Sequence, residues 1–167
     1  AGRRLEALQA CFSSSVSGEG NTALTITAPV GGFPVTIDAS AMDAADTLTI
    51  RGSGAITISG LVAQLTSYAT GALTISTDAS AAQTIRFEAS PTGTLTLGGA
   101  ESIELANTVD LSALTLTGGS YSLTLDPNAS VATTVAQHNT ATAITAAGSE
   151  TITFTDAGTA TGNADVE

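Results

Sequence analysis

A chain of 167 residues is long enough to close one continuous core. Its net charge of −11, from 15 acidic residues against 4 arginines and no lysine, argues against nucleic acid and against an anionic membrane surface as partners. Apolar residues make up 43% but aromatics only 4%, with no Trp, which predicts a thin core of repeated aliphatic layers rather than one built on large aromatic anchors.

In chain order, the first element is a short helix. Leu5, Leu8 and Phe12 fall at i, i+3 and i+7, on one helical face. The run Ser13-Ser-Ser-Val-Ser-Gly-Glu-Gly20 then reads as its breaker, so residues 1–20 are expected to form a capping helix and linker. The start, Ala1-Gly-Arg-Arg-Leu5, has neither an initiator Met nor a signal-like apolar run, as expected of an excised or processed piece. Cys11 is the one cysteine, which leaves no intrachain disulfide, and it reads as a small buried apolar residue.

From Leu24 onward one phrase returns, an apolar residue, then Thr, then another apolar residue. It appears as Leu24-Thr-Ile26, Val35-Thr-Ile37, Leu48-Thr-Ile50, Ile56-Thr-Ile58, Leu73-Thr-Ile75, Leu95-Thr-Leu97, Leu114-Thr-Leu116, Leu123-Thr-Leu125 and Ile152-Thr-Phe154. Ile85-Arg-Phe87, Ile103-Glu-Leu105 and Val109-Asp-Leu111 are variants of it. The period of two is that of a strand with one buried side. The phrases pair as 24 with 35, 48 with 56, 73 with 85, 95 with 103, 114 with 123 and 144 with 152, and successive pairs begin 19 to 30 residues apart.

Short strands at that drifting period predict an all-β fold, a parallel β-solenoid (β-helix) of about six irregular rungs over residues 21–156. The alternative is a β-sandwich. Against the sandwich stand the missing aromatic anchors and the absence of Asn-Gly and Asp-Gly hairpin turns. Leu61-Val-Ala-Gln-Leu65 and Ser130-Val-Ala-Thr-Thr-Val135 are expected as third sides of their coils, the former also compatible with one helical turn. Residues 157–167 have no apolar period and read as a polar tail or linker.

The residues that bear chemistry are few. His138, in Ala136-Gln-His-Asn-Thr140, reads as a solvated loop histidine, and no Gly-x-Ser-x-Gly elbow or His/Cys cluster accompanies it, so the expectation is a chain that is not an enzyme. Glu101 and Glu104, three apart in a strand, point to opposite faces and cannot act as a carboxylate pair. Asp38, Asp43 and Asp46, with Ser40 among them, are hard oxygen donors within one turn region and form the candidate calcium site. No other cofactor is expected. Thr-x-Thr pairs at 25/27, 47/49, 94/96, 115/117 and 151/153/155 suggest an ice-binding face, although uneven rung spacing would break its register.

Val35-Thr-Ile-Asp-Ala-Ser40, Asp46-Thr-Leu-Thr-Ile50 and Val109-Asp-Leu-Ser-Ala-Leu-Thr-Leu-Thr-Gly118 resemble stretches of bacterial S-layer proteins and large type I-secreted adhesins. The resemblance covers about residues 22–156 and implies a parallel solenoid body, export and frequently calcium. It implies a structural or adhesive segment located extracellularly or at the cell surface. Its partners would be further copies, neighbouring domains of the same protein or surface glycans, without membrane insertion. A phage tail-fibre or spike segment, a carbohydrate-binding or carbohydrate-active β-helix and an ice-binding solenoid are the alternative functions.

Overall fold

An alternating strand buries its apolar side only if other strands stack above and below it, and here the next coils of the chain do so. The computed structural model describes residues 12–17, 22–31, 33–80 and 82–161. Every strand pairing among them is parallel, and the chain is an all-β parallel solenoid of about six turns. The first wall comprises β1 (Phe12–Ser17), β3 (Val35–Ala41), β5 (Ile56–Leu61), β7 (Ala72–Thr77) and the opening halves of β9 (Thr92–Leu105) and β11 (Leu114–Leu125). The second comprises β2 (Ala23–Ala28), β4 (Thr47–Gly52), β6 (Gln64–Ala69), β8 (Thr84–Phe87), the closing halves of β9 and β11, and β13 (Ala143–Thr145). A third, shorter wall of β10 (Thr108–Asp110), β12 (Ser130–Thr133) and β14 (Thr151–Phe154) joins in the last turns. A sandwich of hairpins needs antiparallel neighbours, so these ladders set that alternative aside.

Like residues stack on like. Leu24, Leu48, Leu65, Ile85, Ile103, Leu123 and Ile144 form one inward column of the second wall, all of them buried. Ile37, Ile58, Ile75 and Leu95 form the matching column of the first. Each is a side chain whose burial stabilises the fold by roughly 1.5–3 kcal/mol. Steps along the second-wall column vary from the 24 residues between Leu24 and Leu48 to the 17 between Leu48 and Leu65, and the corner loops absorb the difference. The pairing read from the sequence passes over Leu65-Thr-Ser67, whose second inward residue is a buried Ser, and so switches wall between Leu48 and Leu73. Gln64–Ala69 is a full member of the second wall rather than a helical turn or third side, whereas Ser130–Thr133 does lie on a third side.

Tight corners close the coils. β9 and β11 each cross a corner without a break, passing from the first wall to the second through Gly98-Gly99 and Gly118-Gly119. A Cβ on Gly119 would lie 2.0 Å from the Gly99 carbonyl oxygen one rung below, so the two glycine pairs let the backbones stack where the ladder bulges. Before the third wall, Asn107 and Asn128 supply the left-handed conformation at φ 54° and 67°.

At the start, the Ser-rich run expected as a linker is instead β1, with Phe12 to Ser15 in register with Val35 to Asp38. Ser favours turns in isolation, but a waiting strand edge satisfies its backbone equally well. Leu5, Leu8 and Cys11 lie outside the described residues. The one helix among the described residues, α1 (Val135–Thr140), sits in the last turns instead. Thr134 and Gln137 form its capping box, and the Gln137 amide nitrogen donates to the carbonyls of Leu111 and Leu114 at 2.8 and 2.7 Å.

On the outside of the second wall, Arg86 and Glu104 stand next to each other in register, opposite charges where like charges would repel. Arg86 donates to Glu88 (2.7 Å), Glu104 (3.3 Å) and both oxygens of Asp126, tying three rungs together. Its guanidinium holds the Asp126 carboxyl below the ordinary carboxylate range. A depressed carboxylate stabilises the fold above its unfolded pKa, and that contribution is lost as pH falls through the folded value. Arg86→Ala should therefore cost about 1 kcal/mol at pH 7, discounted for solvent screening, and less at pH 3. Urea denaturation at both pH values checks this; an equal loss at each would assign the effect to packing of the arginine stem.

Candidate functional surface

The first wall carries its hydroxyls in register. Thr36, Thr57, Thr74, Thr94 and Thr115 form a single outward column on five consecutive rungs. With a rung spacing of about 4.8 Å, the column repeats one methyl and one hydroxyl over roughly 20 Å. Beside it Asp38 pairs with Ser59, and Ser76, Thr96 and Thr117 follow one another. The Thr96 and Thr117 hydroxyls meet at 3.2 Å. Asp38 is the one charged residue in the described strands of this wall. The expected loss of register is thus overturned for the first column: insertions fall at corners, and backbone pairing keeps the threonines aligned. The full Thr-x-Thr motif stacks on this wall only at 94/96 and 115/117; the others belong to the second and third walls.

The second wall differs in chemistry. There the outward column runs Thr25, Thr49, Thr66, Arg86, Glu104, Thr124 and Thr145. At its margin Arg51 lies over the Tyr68 ring, 3.9 Å from the centroid, a cation–π contact between successive rungs. The first wall therefore offers a nearly uncharged hydroxyl surface, whereas charged side chains interrupt the threonines of the second.

The candidate calcium ligands take three separate roles. Asp38 is an exposed residue of β3 whose carboxylate accepts from the Ser40 hydroxyl (2.7 Å) and amide (3.1 Å), which holds its pKa low. Asp46 is fully buried, and its oxygens accept from the amides of Thr22 (2.7 Å) and Asp43 (2.8 Å). Asp43 is exposed at the corner. Among the described residues no group of three or more His, Cys, Asp or Glu side chains gathers as a metal-binding set.

His138 departs from its expected solvated position. It lies on α1, 6% exposed, with its ring edge-on to Phe154 at 5.2 Å and Nδ1 3.2 Å from the Asn139 side-chain oxygen. The amphipathic turn of α1 carries it inward beside Val135. Glu101 and Glu104 do occupy opposite sides of their strand: Glu101 is 2% exposed in the interior, and Glu104 contacts Arg86 outside. The sequence held a signal for Glu101 and Gln83, since each precedes an inward isoleucine, Ile103 or Ile85, by two residues.

No protein-family model matches the chain, and no curated protein or solved structure matches it. Among the described residues no helix is long and apolar enough to cross a membrane.

Proposed function

We propose that this chain is a stiff, non-catalytic segment of a secreted or cell-surface bacterial protein, structural or adhesive in role, with its first wall as the contact surface. The column of Thr36, Thr57, Thr74, Thr94 and Thr115 carries this reading, because a partner with a repeating surface meets the same uncharged group at every rung. Surface glycans and further copies of the chain are partners of that kind. The net charge of −11 suits a solvated exterior, and the Thr-rich phrases resemble stretches of S-layer proteins and type I-secreted adhesins.

Antibody labelling of intact cells together with mass measurement in solution tests the proposal. Surface labelling, with a monomer or an open-ended polymer in solution, is the expected result. A discrete trimer would transfer the reading to a tail fibre or spike, and confinement to the cytosol would overturn both.

The five-rung register also favours a second reading, ice binding, since a lattice of water can match a periodic row of methyls and hydroxyls. Ice-crystal shaping by the intact protein that is lost in Thr74→Lys, at the middle of the column, would establish it. Crystals that grow unshaped would remove it.

A further inference from the structure

We propose that the interior corner between the first and second walls holds a hard metal cation, with Glu101 and Gln83 as its protein ligands. The two residues stand on adjacent rungs: Thr84 is in register with Ser102, and the Ser102 amide donates to the Gln83 carbonyl at 2.9 Å. Both are buried, at 2% and 1% exposure. One Glu101 oxygen, Oε1, accepts from the Thr77 hydroxyl at 2.5 Å and the Gly99 amide at 3.0 Å. Its other oxygen, Oε2, has no partner, and neither has Oε1 of Gln83.

With Glu101 as a carboxylate, both bare atoms are acceptors, so neither can satisfy the other. Turning the Gln83 amide over does not help, because Nε2 already donates to the Asp78 carbonyl at 3.2 Å and the exchange would set two oxygens against each other. What the corner lacks is positive. The arginines of the described residues are engaged elsewhere, Arg86 with its carboxylates and Arg51 over Tyr68. A dry carboxylate oxygen without a donor or a cation is costly. Asp46, in the same inward column three rungs below Glu101, shows the alternative, with each of its oxygens accepting a backbone amide. A carboxylate and an amide carbonyl are the oxygen types that calcium takes. The Gly98-Gly99 corner beside Glu101 lies at the surface, with Gly98 exposed and Gly99 half-buried.

Calcium chloride added to the chelator-treated protein is the probe, with thermal unfolding as the readout. The midpoint should rise by about 5 °C when calcium is well above its dissociation constant. Glu101→Gln, which keeps the shape and removes the charge, should unfold at a midpoint indifferent to calcium. Gln83→Met, which keeps the charge and removes one ligand, should lose most of the rise and decides the matter if the first variant fails to fold. Terbium in place of calcium should emit when Tyr121, in register with Glu101, is excited, and Tyr121→Phe should lose that emission while keeping the calcium-induced rise. A midpoint unmoved by calcium overturns the proposal.

Discussion

Ile75→Asp should destabilise the middle of the solenoid by roughly 4 kcal/mol or more and strip protection from the rungs on either side. Ile75 is 1% exposed, stacked between Ile58 and Leu95 in the first-wall column. An aspartate there would place a charge between aliphatic layers, and none of the paired backbone groups around it is free to solvate that charge. Each coil contacts chiefly its immediate neighbours, so the damage should be local first. Hydrogen exchange should show lost protection in β5, β7 and the first half of β9, with the far coils less affected. Thr74→Ser, one residue away and facing solvent, should change stability by no more than about 0.5 kcal/mol. Equal effects from the two changes would mean that the inward and outward assignments are wrong.

Gly93→Ala is expected to be nearly as severe, although it adds only a methyl group. Gly93 has φ 107° and lies in register between Leu73 and Leu114, with the Leu73 carbonyl oxygen 2.0 Å from where a Cβ would stand. Both the conformation and the space forbid a side chain, and the obstacle is backbone in a paired strand rather than a movable side chain. A loss of roughly 3 kcal/mol or more is expected, measured by chemical denaturation. Gly148 separates the two causes. It shares φ 107° but has nothing within 4 Å of a built Cβ, so Gly148→Ala should show only the conformational cost, about 1 kcal/mol. If Gly93→Ala were no worse than Gly148→Ala, the close stacking of rungs at that position would be refuted.

The solenoid was legible because its signal is local: apolar, Thr, apolar recurs wherever a strand must bury one side. Handover between walls was less legible, because it depends on which coil a strand joins, and Leu65-Thr-Ser67 hides its membership behind one buried hydroxyl. The Ser-rich β1 is hidden in the sequence for a related reason. Turn propensity is a property of the segment, and the edge of β3 that receives it lies more than twenty residues downstream. Of the surface, the threonines could be found but not their alignment, since spacing along the chain says nothing about how much length each corner takes up. The buried Glu101 and Gln83 obey the period-two rule, yet their missing partners emerge only when adjacent rungs are laid together.

The corner loops and parallel ladders have a mechanical consequence. The hydrogen bonds between rungs run along the long axis of the body, so a pull applied from end to end loads them one ladder at a time instead of all together. A rung of about 20 residues that gives way would release chain worth roughly 60–70 Å when stretched. Held between two anchored points, such a body would yield in steps, dissipating work at each one, and could rewind coil by coil when the load is removed.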